Sequence, residues 1–174
     1  MFQFNDLDPA TRLAMTAAIK EAQSTGNIYD SARFNQAGRD QWLPLLLEAA
    51  ESHDEHWLAF QLEARAMMKD FEGANTPSGG YTIKHVPHTA SETMAEGQFN
   101  RFYILGLCRK ARAAGNTQLV VYRAKAVPDP RPESQALVGT TMSIDEIEAQ
   151  LKDTKLSFKS PLVKPNSGLS VKLP

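Results

Sequence analysis

The chain has 174 residues, of which 42% are hydrophobic and 22% charged, with a formal net charge of −1. That composition fits one folded domain, with or without an appendage, and excludes a disordered chain. A single cysteine, Cys108, excludes an intramolecular disulfide framework, and no apolar run approaches the ~18 residues of a membrane span.

Charge is unevenly placed: residues 1–72 carry a net −6, residues 73–151 a net +1 and residues 152–174 a net +4. An acidic head and a basic tail favour contacts between neighbouring subunits or head-to-tail docking. The start, MFQFNDLDPATR, lacks a basic region followed by an apolar stretch, so no secretory leader is expected. The expected setting is the cytoplasm, or a virus particle assembled there.

Asp8-Pro9 opens a first helix, with Asp8 capping free N–H groups and Pro9 fitting the first turn. Leu13, Ala14, Ala17 and Ala18 form one surface, widened by Met15, Ile19 and Ala22, whose small residues permit close approach by another helix. Gly26 is the expected stop. Residues 27–39 read as a connector holding Tyr29 and Phe34. Asp40 is the expected cap of a second helix carrying Trp42, Leu45, Leu46, Ala49 and Ala50, with Pro44 tolerated in its first turns. After SHDEH, residues 57–70 resume the pattern with Leu58, Phe60, Leu62, Ala66 and Met67. Residues 1–72 are thus expected to be a helical unit of three helices, the last two an αα-hairpin.

Residues 73–80, GANTPSGG, read as a linker or exposed loop. Residues 81–86 form a short extended segment limited by Val86-Pro87. Residues 91–115 are the longest stretch readable as one helix. Phe99, Tyr103, Ile104, Leu107, Ala111 and Ala114 share one face, and Gln98, Arg101, Arg109 and Arg112 the other. Glu96 and Asn100 fall on the apolar side, where a polar group needs a partner. Each other, Tyr103, Arg123 or a partner chain are the partners expected, in a structural network or, alternatively, around an enzymatic Glu96.

Residues 117–127, TQLVVYRAKAV, have strand composition and become basic at Arg123 and Lys125. PDPRPE breaks regular structure, and residues 136–141 are expected to return as a second strand. Ser143 and Glu146 have capping-box spacing for a short helix to about Leu151. Residues 152–174 predict no packed element and read as an extended basic arm. Phe158, Leu162, Val163, Leu169, Val171 and Leu173 are nevertheless too numerous for an inert spacer. Such an arm either folds back on its own domain or adds a strand or strap to a neighbour.

The expected fold is therefore α+β: a helical N-terminal half, a long central helix packed on a small β-sheet, and an extended C-terminal arm. Its segments are 1–72, the 73–80 linker, an 81–151 core and the 152–174 arm.

Chemical motifs are sparse. His53/His56 and His85/His88 form two H-x-x-H pairs, but neither is H-E-x-x-H and no C-x-x-C accompanies them, so they are weak metal candidates. Arg101, Arg109, Arg112, Arg123 and Lys125 are the candidate binding residues, read as a solvated or salt-bridging face. No phosphate-binding glycine loop and no nucleophile system is legible. No cofactor is expected.

These features lead to a non-enzymatic structural or adaptor subunit of a larger protein assembly, such as a bacteriophage head or connector component in a virion. Other protein subunits are the expected partners, in a homo-oligomer or hetero-assembly, with no membrane and no sequence-specific nucleic acid. The alternative is a small enzyme or ligand-binding protein with a polar site around Glu96, Asn100, Tyr103 and Arg123. A nucleic-acid binder, with Arg109, Arg112 and the tail lysines on one positive surface, is a third reading.

Overall fold

The computed structural model describes residues 1–174. Helix α1 (Pro9–Ser24) starts where the Asp8 carboxylate accepts the Thr11 N–H at 2.8 Å. Helix α2 (Gln36–Ser52) starts earlier than Asp40. Its cap is Asn35, whose Oδ1 accepts the Gly38 N–H at 2.9 Å, and Asp40 lies inside the helix and accepts from Gln36. Asn35 wins that role because its Nδ2 also reaches the Ala66 carbonyl at 2.7 Å, tying the helix start to the chain beyond the next helix. That next helix, α3 (Glu55–Ala64), is capped by Asp54 and ends well short of residue 70. Ala66 takes a φ of 48°, which turns the chain out of the helix.

The segment after it departs furthest from expectation. Strands β1 (Phe71–Asn75) and β2 (Tyr81–His85) form an antiparallel hairpin in which Gly73 faces Ile83. Residues 73–80 are therefore strand and tight turn. The glycines and Pro77 that suggested a linker supply the turn, closed by the Thr76 N–H on the Gly80 carbonyl at 2.8 Å.

Helix α4 (Ala90–Ala113) runs through the centre of the molecule and packs on α1, α2 and α3. Gly106 is what lets α1 come close, since a Cβ there would stand 2.8 Å from the Met15 backbone nitrogen. The face of α1 expected to pack is rotated: Leu13 and Ala17 are exposed, and Met15, Ala18, Ile19 and Ala22 are the buried side. The glycine of α4, rather than the alanines at 14 and 17, thus permits the close approach. After α4 come β3 (Gln118–Arg123), α5 (Pro132–Leu137), β4 (Thr141–Ser143), α6 (Ile144–Leu151), α7 (Thr154–Ser157) and β5 (Leu169–Lys172). The strand expected at 136–141 begins only at Thr141. Pro132 and Glu133 suit a helix start, and α5 occupies the space before it. Ser143 caps α6 as its spacing predicts, accepting the Glu146 N–H at 3.1 Å.

The second sheet is antiparallel with order β4-β3-β5, pairing Leu119 with Met142 and Val121 with Val171. The fold is thus α+β, a long central helix packed with small antiparallel sheets. One continuous core runs from Met15 and Trp42 through Phe99 and Leu107 to Ile147 and Val171, so the head, centre and tail of the chain contribute to the same interior. The N-terminal segment joins it through Phe4, whose ring lies 4.6 Å from Tyr103 and 5.3 Å from Phe99. No helix is long and apolar enough to cross a membrane.

Candidate functional site

The polar residues of α4 do not open onto a common cleft. Asn100 is enclosed and saturated: its Nδ2 donates to the Leu162 carbonyl at 3.0 Å and the Leu169 carbonyl at 2.9 Å, and its Oδ1 accepts from Ser170 at 2.7 Å. Tyr103, fully buried, accepts the Asp6 N–H at 3.2 Å, and burial pushes its phenol pKa up. Tyr122 donates to the Gln3 carbonyl at 2.7 Å and accepts the Asn5 N–H at 3.2 Å. Asp6 in turn accepts the Leu173 N–H at 3.0 Å. This network ties both chain ends to α4 and β3. Asn100 thus finds its partners in the tail, and neither Glu96 nor Arg123 is among them.

Glu96 pairs with Lys125, which also holds Glu92 at 3.0 Å. Burial raises the Glu96 pKa against the pull of that ammonium. The cavity bounded by Glu96, Asn100 and the turn at residues 162–168 is about 20 Å³, room for one water rather than a substrate. Arg123 donates to the Ser167 carbonyl at 2.7 Å and to Gln135 at 3.0 Å.

Arg101 is the largest departure among the candidate binding residues. It is not on a solvated face; its side chain is fully buried. Nε reaches the Leu151 carbonyl at 2.8 Å, Nη2 the Lys152 carbonyl at 2.9 Å and Nη1 the Asn27 carbonyl at 3.1 Å. The guanidinium therefore caps the C-terminus of α6 and pins the connector after α1, where the dipole of a helix end favours a cation. Burial lowers its pKa to about 10, with Asp153 opposing, so it stays charged at neutral pH. Nothing in a one-dimensional pattern marks an arginine on the buried side. Only the converging carbonyls of residues 27, 151 and 152 explain it.

Arg109 pairs with Glu21, and Arg112 meets Asp145 and Glu148, each at 2.9 Å. The expected basic stripe is thus matched by acids of the same chain. His53 stacks on Trp57 at 4.1 Å in a shallow depression beside Arg12, and His85 lies 4.4 Å from the Phe71 ring. No three His, Cys, Asp or Glu side chains are grouped to hold a metal, so His53, His56, His85 and His88 do not converge. Cys108 is buried, which pushes its thiol up to about 12.

The tail folds back. Leu162, Leu169 and Val171 are fully buried, Val163 and Leu173 half-buried, and Phe158 is exposed against Tyr29 at 4.7 Å. Gly168, at φ +62°, permits the return: a Cβ there would stand 2.3 Å from the Lys125 carbonyl. Its own carbonyl accepts the Ala124 and Lys125 N–H groups at 2.8 and 3.0 Å. Of the two alternatives for residues 152–174, the first holds: the segment folds back and, although no packed element was expected in it, forms α7 and β5 and completes the core.

Two surfaces bear on function. One is a cleft of about 370 Å³ between Tyr29, Met94, Phe158 and Val163, with the Arg33–Glu72 ion pair at its rim; none of Glu96, Asn100 and Arg123 lines it. The other is the hairpin. Its register places Phe71, Tyr81, Ile83 and His85 on one face, with exposures of 52%, 73% and 68% for Phe71, Tyr81 and Ile83. The other face carries Glu72, held by Arg33 at 2.6 Å and by Lys84 at 3.3 Å. Sequence reasoning missed this surface, although Tyr-Thr-Ile-Lys-His alternates and TPSGG is a turn. No protein-family model, curated protein or solved structure matches this chain.

Proposed function

We propose that the chain is a non-enzymatic structural or adaptor subunit of a larger protein assembly, with the β1–β2 hairpin as its contact arm. The observation that carries this reading is the hairpin itself. A two-stranded sheet alone is marginal in water, and this one turns Phe71, Tyr81 and Ile83 to solvent instead of into the core. The internal use of Asn100, Arg101, Tyr103 and Arg123 supports it, because these groups hold the fold together. The partners are other protein subunits, of the same or another chain. A bacteriophage head or connector, assembled in the cytoplasm, is the kind of assembly we favour.

The test is solution mass by light scattering across a concentration series, with cross-linking in native extract. A mass above that of the 19.2 kDa chain, or a discrete cross-linked protein partner, is expected. A monomer at every concentration with no partner in extract would sink the reading.

The cleft favours a second reading, a ligand-binding protein. Its mixed walls, with Met94, Phe158 and Val163 beside Ser31, Thr93, Gln98 and the Arg33–Glu72 pair, suit a small amphipathic molecule. Chemical-shift mapping with such probes checks it, and perturbation confined to Tyr29, Met94 and Phe158 is the expected result. Shifts absent from that region remove it.

A further inference from the structure

We infer that β2 is an assembly edge and that its partner is β2 of a second copy, running antiparallel across a two-fold axis at Ile83. This rests on the assembly reading and names the partner. Two hydrogen bonds that bracket the hairpin fix the direction of every backbone group in it. The Val86 N–H donates to the Asp70 carbonyl at 3.0 Å, and the Thr76 N–H to the Gly80 carbonyl at 2.8 Å. Alternation between them points the backbone groups of Thr82 and Lys84 at β1. Those of Tyr81, Ile83 and His85 point away, and the sheet contains no further strand to meet them.

The connector says which edge is the free one. Just before β1, the Lys69 N–H donates to the Arg33 carbonyl at 2.8 Å and the Asn35 N–H to the Met67 carbonyl at 3.1 Å. The connector therefore lies along the outer side of the chain that enters β1, whereas no segment lies along β2 and all five of its residues are exposed. Exposed edges are usually blunted by a proline, a bulge or an unpaired charge. β2 has no proline or bulge within it, and its one lysine, Lys84, is engaged by Glu72 across the hairpin. The edge is left as a template for another strand.

A second copy of β2 is the occupant whose pairing closes on itself, and charge and register fix how it sits. Antiparallel pairing of two β2 strands must set outward residues against outward residues, which permits centres from Tyr81 to His85. A centre at Tyr81 or His85 matches only one outward residue of the strand, which leaves Thr82, Ile83 and Lys84. A centre at Lys84 puts like charges opposite each other, and a centre at Thr82 leaves His85 against the turn. The centre at Ile83 pairs Tyr81 with His85 of the second copy, Ile83 with itself, and Lys84 with Thr82. All three outward residues are then bonded and no charge faces its like. The result is a four-stranded sheet with Phe71, Tyr81 and Ile83 of both copies on one face. It satisfies the need of a small sheet for three or more strands, and the contact is closed and self-complementary.

Ile83→Cys tests the axis in the full chain, because Cys108 is buried and does not compete. Residues facing each other in such a pair lie about 5.5 Å apart at Cα, within disulfide reach. Mild oxidation is expected to give a covalent dimer of Ile83→Cys. Thr82→Cys alone is expected to give none, while a mixture of Thr82→Cys and Lys84→Cys gives the mixed dimer. Ile83→Pro removes only an outward N–H, so the hairpin survives and the dimer dissociation constant rises about tenfold or more. An oligomer that forms without the Ile83 cross-link, or that tolerates Ile83→Pro, overturns the pairing and leaves the assembly reading standing. A monomer at every concentration overturns the pairing too. The assembly reading falls separately, when native extract also yields no partner subunit.

Discussion

β5 and β2 are both short alternating strands at the edge of a small antiparallel sheet, yet the molecule treats their edges oppositely. Leu169, Ser170 and Val171 of β5 are buried, and side chains from elsewhere take its edge groups. Asn100 of α4 donates to the Leu169 carbonyl, and Asp6 accepts the N–H of Leu173 just beyond the strand. No residue of β2 is buried and no side chain closes its edge. Alternation specifies a strand. What covers its edge decides whether that strand holds the fold together or offers it to another chain.

The largest break in this comparison is a chain ending at Leu151. It loses Leu162, Leu169 and Val171, each fully buried and each contributing about 1.5–3 kcal/mol, and it leaves Asn100 without its acceptors. The sum is comparable to the whole stability of a domain, about 5–15 kcal/mol. Urea unfolding followed by circular dichroism should show no cooperative transition for this variant; one with the wild-type midpoint would refute the role given to the tail. Arg101→Met comes next. It leaves three carbonyls without their charged donor and, at about 1–3 kcal/mol for each unsatisfied group that is buried, is expected to destabilise by about 3–5 kcal/mol. Arg101→Lys recovers only part, because an ammonium lacks the planar fork that spans them. Equal unfolding midpoints for Arg101→Lys and wild type would contradict that geometry.

The same contrast explains what was legible in the sequence. The caps at Asp8 and Ser143 and the central helix depend on neighbours a few residues away, and they were readable. The α+β architecture followed from them. Asn100 and Arg101 depend on partners 50 to 74 residues distant, and the tail on an Asp6 that lies 167 residues from Leu173, which no local pattern encodes. The misfit of Asn100 on an apolar face correctly announced a partner but could not say that the partner was the tail. The hairpin was hidden for another reason. The extended segment at 81–86 was readable and is β2, but its partner was not: neither strand has a fully buried residue, so the composition of residues 73–80 suggested a loop, and only the turn TPSGG signalled pairing.

A smaller effect sharpens the closed side. Glu55 is 2% exposed, accepts the Phe2 N–H at 2.6 Å and leaves its second oxygen buried without a partner. It thereby anchors the N-terminal segment whose Asp6 meets the tail at Leu173. Burial raises its pKa above the ordinary 4.5, with the Phe2 N–H opposing. A group whose folded pKa is raised binds its proton more tightly in the folded state. Its favourable contribution is therefore full below pH 4.5 and is lost as pH rises through the folded value. Glu55→Gln keeps an acceptor for Phe2 without the charge, so it should be about 1–2 kcal/mol more stable than wild type at pH 7. The advantage should vanish at pH 4. A constant difference between the two chains across that range, in paired denaturation curves, would assign it to packing instead.

The smallest effect on stability belongs to the open side. Ile83→Thr retains a β-branched residue that suits a strand, removes no buried atom and leaves the Glu72–Lys84 pair intact. Substitutions of this kind usually stay within about 0.5 kcal/mol, so the unfolding midpoint of the dilute chain should not move. Concentration is what separates the two sides of the molecule. If β2 is an edge offered to another chain, wild type gains stability as concentration rises and Ile83→Thr gains less, because association stabilises only the chains that associate. Tail variants, in contrast, are weakened equally at every concentration. A midpoint for Ile83→Thr that falls in dilute solution would mean that the hairpin is part of the closed core, and the distinction between the two strands would fail.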